Sequence, residues 1–407
     1  MSFQLLTVGT AAAGLALVGI VYNSDAAYFM CSALLAVMVV SFISSRLSVR
    51  ALEWGRDIAD RVFENDPFAV TVRVTNRGRI PLFLLRIGDT LPPYVWPIDS
   101  PSFILPALWS GETAALTYRA RAAKRGVHLL GPLRVAVSDP FGVFQRTAGI
   151  SLPGEAVIFP RPLPLLTDLD EGGTDIRGTI SGELALSSDS GMDFYGIRDY
   201  QPGDELRRIH WPATAHHGKI TVIDFERGTS GSVVVVLDTK QGTEFGEGLE
   251  TTLEVGVRLA ASLAHWALTN DGLASLAMDT ATEARWEQVE HPDQERRILE
   301  TLAWARADGR LPVSAVAEWT AARAPAGAAV VIITAAPDAN LPAVAHWLTD
   351  GNAHVAVLVP DAPRPRGTSG LSTEMEHALR IAGAQVAVCP WGRDLQEFLN
   401  HVLLTRV

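Results

Sequence analysis

The sequence predicts a chain in three parts: a membrane helical hairpin, a β-sandwich and a doubly wound α/β domain. Three observations carry that prediction. Two long uncharged apolar runs stand at the N-terminus, short alternating runs broken by Pro and Gly follow, and the second half alternates continuous Val/Ile/Leu runs with helical patterns. The 407 residues are 48% hydrophobic, ample for more than one core. A formal net charge of −11 gives no general attraction to nucleic acid, which requires a basic surface to neutralise phosphates, so no nucleic-acid partner is expected. The cysteines, Cys31 and Cys389, lie far apart and imply no disulfide framework, which suits a reducing compartment.

Residues 1–46 hold the hairpin. "LLTVGTAAAGLALVGIVY", Leu5 to Tyr22, is uncharged and about as long as a bilayer crossing needs. After Asn23, Ser24 and Asp25, "AAYFMCSALLAVMVVSFI" repeats the pattern from Ala26 to Ile43. No Lys or Arg precedes the first run and a second span follows at once, which argues against a cleaved signal peptide. Arg46, Arg50, Arg56 and Arg61 follow the second span, whereas the turn and the N-terminus carry no Lys or Arg. The positive-inside bias then makes this a multi-pass protein of the cell membrane, with both termini and the large C-terminal part in the cytoplasm.

Residues 47–160 change to strand-like runs, "FAVTVRVTN", "TAALTYRARA", "GVHLLGPLRVAVSD" and "EAVIFP", with no long helical period. An antiparallel β-sandwich is expected there. "SDPFGVFQR", Ser138 to Arg146, reads as a turn with Phe141 and Phe144 packed inward. Residues 161–190 are rich in Pro, Gly, Ser and Asp and read as a linker, and residues 191–228 carry a densely charged motif. Across residues 229–407, strands in "VVVVL", "LASLAMD", "AAVVIIT", "AHVAVLVP" and "AQVAVCP" alternate with helices around Glu250 to Thr269 and in "QERRILETLAWA", "NLPAVAHWLT" and "DLQEFLNHVLL". Such runs indicate a parallel sheet covered on both faces.

In open α/β sheets ligands bind at the carboxyl ends of strands, which directs attention to Asp238, Thr239, Lys240, Gln241 and Gly242 after "VVVVL". An apolar first strand ending in Asp, then a loop and a long helix, resembles the von Willebrand factor A fold. That resemblance implies a D-x-S-x-S site, in which a carboxylate and two hydroxyls hold a divalent cation. Only Asp238 matches; Lys240 and Gly242 stand where the hydroxyls belong, and a Lys ammonium opposes a cation. Thr334 and Asp338, after "VVIIT", are the remaining candidate ligands, or else turn and cap residues. The expectation is a degenerate site with no cofactor, magnesium being the ion it would take if it took one.

The charged motif centres on "RDYQPGDELRRIHW", Arg198 to Trp211. Read locally, Pro202-Gly203 makes a turn, Asp204 caps a short helix, and Arg207 and Arg208 are placed to pair with Asp204 or Asp199. That chemistry fits a salt-bridged structural clamp as well as a docking surface. Gly191, Phe194, Arg198, Tyr200, Pro202-Gly203-Asp204, Arg207, Ile209, Trp211, Ala215, Gly218-Lys219 and Glu226, in order and spacing, resemble the signature of domain of unknown function family fifty-eight. The resemblance implies a membrane-associated prokaryotic protein encoded beside MoxR-type AAA+ ATPases, serving assembly or maturation of cell-envelope or metal-containing complexes, with no established reaction. Two positions depart from the pattern: His216 stands where the family has Arg, and His210 precedes the Trp.

The function expected is therefore a non-enzymatic interaction protein that presents Arg198, Asp204, Arg207, Arg208 and Trp211 to a partner ATPase, since interfaces favour Arg and aromatic anchors. Two alternatives stay open. One is a metal-dependent hydrolase using His210, His216 and His217 with Asp204 or Asp238, although no HExxH or nucleophile motif is present. The other is a metal-dependent ligand-binding domain.

Overall fold

In a computed structural model, which describes residues 3–48, 52–59, 61–139, 141, 144–165, 194–199, 214, 219, 221–225, 232–270, 272–325, 327–363 and 370–404, this mixed α/β chain divides into two units, Met1–Phe159 and Pro160–Val407. The first begins with helices α1 (Phe3–Tyr22) and α2 (Asp25–Ser48), which pack together. Gly19 lets the Tyr28 ring approach so closely that a Cβ there would meet it at 3.1 Å. Asp25–Ile43 is, among the described residues, the helical segment long and apolar enough to cross a membrane; Leu6–Tyr22 is apolar but shorter.

Among the described residues eleven strands follow: β1 (Leu52–Ile58), β2 (Val62–Phe63), β3 (Pro67–Asn76), β4 (Leu82–Gly88), β5 (Val95–Pro97), β6 (Ser102–Leu108), β7 (Thr113–Ala122), β8 (Gly126–Leu130), β9 (Leu133–Ser138), β10 (Gln145–Ile150) and β11 (Gly154–Phe159). They form sheets in the orders β1-β3-β7-β5, β10-β9-β4-β6 and β2-β11-β8. Alternation decides which face is buried: in β3, Val70, Val72 and Val74 point inward while their neighbours do not. Val72, Val74 and Leu116 from the first sheet share one core with Leu82, Leu85, Ile87, Leu108, Leu133, Val135 and Val137 from the second. The expected inward packing of Phe141 does not occur. Phe141 is 58% exposed, because Asp139 accepts the backbone N–H groups of Phe141 (3.0 Å) and Phe144 (2.6 Å) and turns the chain outward between β9 and β10. Arg56, one of the four arginines that follow the second span, turns its side chain inward. Its guanidinium is buried against Asp89 at 2.7 Å, with side-chain exposures of 2% and 1%.

The second unit opens with β12 (Phe194–Asp199) paired antiparallel to β13 (Thr221–Phe225). Then come β14 (Val233–Leu237), the two-residue strands β15 (Gly246–Glu247) and β16 (Glu250–Thr251), α3 (Thr252–Thr269), β17 (Ala274–Asp279) and β18 (Ala284–Val289). Helices α4 (Glu295–Trp304) and α5 (Val313–Ala321), β19 (Ala329–Ile333), α6 (Leu341–Asp350), β20 (His354–Pro360), α7 (Thr373–Ile381), β21 (Gln385–Cys389) and α8 (Leu395–Leu404) follow among the described residues. The main sheet has the order β18-β17-β14-β19-β20-β21. Val234, Val236, Val330 and Ile332 pack with residues of α5, α6 and α7 in one core, and α3 lies against β14, β17 and β20. Gly256 brings α3 onto the sheet: a Cβ there would stand 3.2 Å from Leu237 and 3.3 Å from Ile333.

The periodicity left several elements unread, among them β1, β4, β6, β10 and β12 and three in the α/β domain. The edge strand β18 runs antiparallel to β17, so the sheet is not wholly parallel, and its half-exposed residues give no clean alternation. Helices α5 and α7 span 9 residues each, and α7 buries Leu379 alone. The linker reading falls largely outside the described residues, but its start is pinned: Leu163 N–H donates to Ser262 Oγ (2.9 Å) and Gln396 Nε2 donates to the Pro164 carbonyl (2.8 Å).

Candidate functional site

Strand β14 connects through α3 to β17 on one side, while β19 flanks it on the other, so the topology reverses between β14 and β19. In a doubly wound sheet that reversal opens a crevice at the strands' carboxyl ends. Asp238 and Thr334 stand there, immediately after the two strands. Thr334 Oγ1 donates to Asp238 Oδ2 at 2.6 Å, and the Lys240 backbone N–H donates to Oδ1 at 3.0 Å. Burial pushes the Asp238 carboxyl above its ordinary range, and the bonds from Thr334 and Lys240 only partly oppose that shift. The cavity beside it, lined by Asp238, Thr243, Glu244, Thr252, Gly256 and Thr334, measures ≈ 10 Å³, about the room one water needs.

Several neighbouring oxygens are bonded elsewhere. Asp338 Oδ2 accepts from Ser314 N–H in the first turn of α5 and Oδ1 from Asn340 N–H, both at 3.0 Å. Thr239 Oγ1 donates to the Asp279 carbonyl at 2.5 Å, and Thr243 Oγ1 to the Lys240 carbonyl at 2.8 Å. The structure thus brings Asp238 and Thr334 together and turns Asp338 to a helix start. Lys240 and Gly242 offer no side-chain oxygen, so this donor set is a poor match to a hard cation, which wants six or so oxygens. Among the described residues no cluster of three His, Cys, Asp or Glu side chains has metal-binding geometry.

Sequence reasoning missed Asp279 at the end of β17. Its Oδ2 accepts the N–H groups of Arg310 (2.6 Å) and Leu311 (2.8 Å), and a Cβ on Gly309 would meet the Thr239 carbonyl at 3.0 Å. The signal was available, since Asp279 ends a buried strand just as Asp238 follows one. Of the charged motif, Arg198 lies on β12 opposite Val222 of β13. Asp204, Arg207, Arg208 and Trp211, with His210, His216 and His217, lie outside the described residues, in the connection between those two paired strands.

Residues 196–390 match the family model described as Protein of unknown function DUF58. The match begins in β12, runs through the charged motif and ends just after β21, so it takes in both the motif and the sheet edge at Asp238. The chain is also similar to the uncharacterized protein YeaD of Bacillus subtilis (strain 168), at 22% identity over 292 residues, covering 70% of this chain and 71% of that protein. Among solved structures, the SpRpn10 VWA domain aligns at 10% identity and a TM-score of 0.32, covering 42% of this chain and 94% of that one. Trypsin-activated alpha-2-macroglobulin from Escherichia coli aligns at 14% identity and a TM-score of 0.22, over 39% of this chain and 9% of that one.

Proposed function

We propose that the chain is a membrane-anchored accessory protein that binds a partner and performs no catalysis of its own. Helices α1 and α2 form a membrane hairpin that holds a β-sandwich and a von Willebrand factor A-like domain at the cytoplasmic face. The motif between β12 and β13 docks a MoxR-type AAA+ ATPase serving assembly or maturation of cell-envelope or metal-containing complexes. The observation that carries this reading is the state of the sheet's carboxyl edge. Asp238, Thr334 and Asp338, which a metal-dependent or hydrolytic domain would aim at a ligand, are bonded to one another or to helix and turn N–H groups. Cys389 supports it: burial pushes its thiol up to about 11, which leaves little thiolate to act as a nucleophile.

Capture of the full chain from detergent-solubilised membranes, with and without ATP, tests the reading. An AAA+ ATPase is expected with the native chain. Arg208→Ala should reduce recovery by roughly 2 kcal/mol of binding or more, as for an interfacial arginine, while exposed pairs are worth about 0 to 1 kcal/mol and the melting temperature barely moves. Asp204→Ala, which also removes the helix cap that the sequence pattern predicts, should lower both. Equal, large losses of stability in the two variants without a separate binding defect would make the motif a structural clamp.

A further inference from the structure

The sheets of the first unit meet α2 at one rim, and that rim carries exposed apolar side chains among exposed polar ones such as Arg77, Ser110 and Glu112. Phe42 of α2 and Phe144, at the end of the β9–β10 turn, stack edge to face with ring centroids 5.8 Å apart. Phe42 belongs to the apolar stretch Asp25–Ile43, so the turn sits level with the last apolar turn of the helix rather than beyond it. Phe141, in the same turn, is held outward by the Asp139 bonds. Next to it along the sheet, Phe83 of β4 pairs with Ser138, and Trp109, 61% exposed, packs on Phe83 at 6.5 Å. Leu84 follows in the left-handed region, at φ 45°, and is exposed, as is Ile80 before β4. A leucine held in a conformation that favours glycine, with its side chain outward, gains nothing from water. Exposed Arg79 and Arg146 accompany this rim.

We propose that this rim, carrying Ile80, Leu84, Trp109 and Phe141, is seated in the boundary between headgroups and acyl chains of the bilayer that α2 crosses. The inference rests on the reading of α2 as a membrane span. Continuity selects lipid as the occupant: α2 delivers the chain to this rim, and Val49 to Ala51 alone separate its last residue from β1. Aromatic rings and arginines are the side chains that favour the interfacial layer, where an apolar body is shielded and a polar or charged tip stays wet. The sheet unit is then held at a fixed height and tilt by two contacts, the helix and the rim, instead of swinging on a tether.

Spin labels on the full chain in lipid nanodiscs test this, in a background of Cys31→Ala and Cys389→Ala. Single replacements Leu35→Cys in α2, Trp109→Cys and Phe141→Cys on the rim, and Trp96→Cys and Leu129→Cys at the opposite end of the strands are labelled one at a time. Collision with oxygen reports lipid; collision with a water-soluble nickel complex reports water. Positions 109 and 141 are expected to favour oxygen as 35 does, with the ratio inverted at 96 and 129. Labels at 109 and 141 that favour nickel while 35 favours oxygen would overturn the inference and leave the membrane span standing. Labels there shielded from both reagents would overturn it in favour of a protein contact. A label at 35 that favours nickel would overturn the span and the inference with it. Positions 109 and 141 lie on separate turns, so misfolding of one variant leaves the other to decide.

Discussion

Asp238 and Asp338 look alike in the sequence, each an Asp just past a buried strand, and the structure gives them different work. Asp238 is a desolvated carboxyl bonded to Thr334, whereas Asp338 places its charge on the first turn of α5, where unsatisfied N–H groups and the helix dipole attract it. The position of Asp238 was legible because a strand of five buried residues announces its own carboxyl end; the role of Asp338 was not, because its partner Ser314 lies 24 residues away. Two outcomes follow. Asp338→Ala should cost about 1 kcal/mol, the usual worth of a cap, and the loss should be the same with and without magnesium in a urea titration. A loss seen only with magnesium present would make Asp338 a ligand. For Asp238, burial raises the folded pKa above the unfolded value of 3.8, so the folded state holds the proton longer as pH rises. Stability is then greatest below pH 3.8 for this group and declines as pH climbs through the window above it. Asp238→Asn, which cannot ionise, should remove that part of the decline; an unchanged pH profile would show that the carboxyl is not desolvated in solution.

At the scale of elements, hydrophobic period identified the strands and helices that bury a full face, and failed where burial is partial. β14, β19 and β20 are continuous buried runs, and β3 and β7 alternate; β18, α5 and α7 give weaker patterns because water covers much of each or because each is short. What holds elements to one another was less legible still. Arg56 of β1 reaches three distant points of the chain: its guanidinium donates to the carbonyls of Leu130 (2.6 Å) at the end of β8 and Leu152 (2.9 Å) between β10 and β11, and to Asp89 (2.7 Å) just after β4, and Tyr118 of β7 donates its hydroxyl to the same Asp89 (2.7 Å). Burial and the neighbouring Asp89 carboxylate push the Tyr118 phenol far above its usual range, so it stays a donor. No local spacing reveals a contact between residues 33 apart. Arg56→Met should cost about 3 to 5 kcal/mol, because Asp89 is left buried with an uncompensated charge, and Arg56→Met with Asp89→Leu should cost less than Arg56→Met alone. Unfolding of the full chain in detergent, followed by tryptophan fluorescence, reads both. A loss below about 1 kcal/mol for Arg56→Met would mean that water reaches the pair, as it does for exposed ion pairs.

For the whole molecule, the proposed topology rests on charge and length. α2 supplies the long apolar segment, and Arg46, Arg50 and Arg61 follow that segment within the distance over which positive charge resists translocation. α1, at 20 residues, rises about 30 Å, the thickness of a hydrocarbon core, though its apolar part is shorter than that of α2. The proposed hairpin therefore puts Met1 and Val407 on the same, cytoplasmic side. A reporter that is active only outside the cytoplasm, fused after Val407, is expected to be silent, and the same reporter fused before Met1 is expected to be silent too. The pair of fusions separates the readings. Activity at Met1 with silence at Val407 would mean that α2 crosses and α1 does not, leaving the C-terminal units, and the ATPase they are proposed to meet, in the cytoplasm. Activity at Val407 would reverse the orientation and remove the ATPase partnership, since the docking motif would then face away from nucleotide.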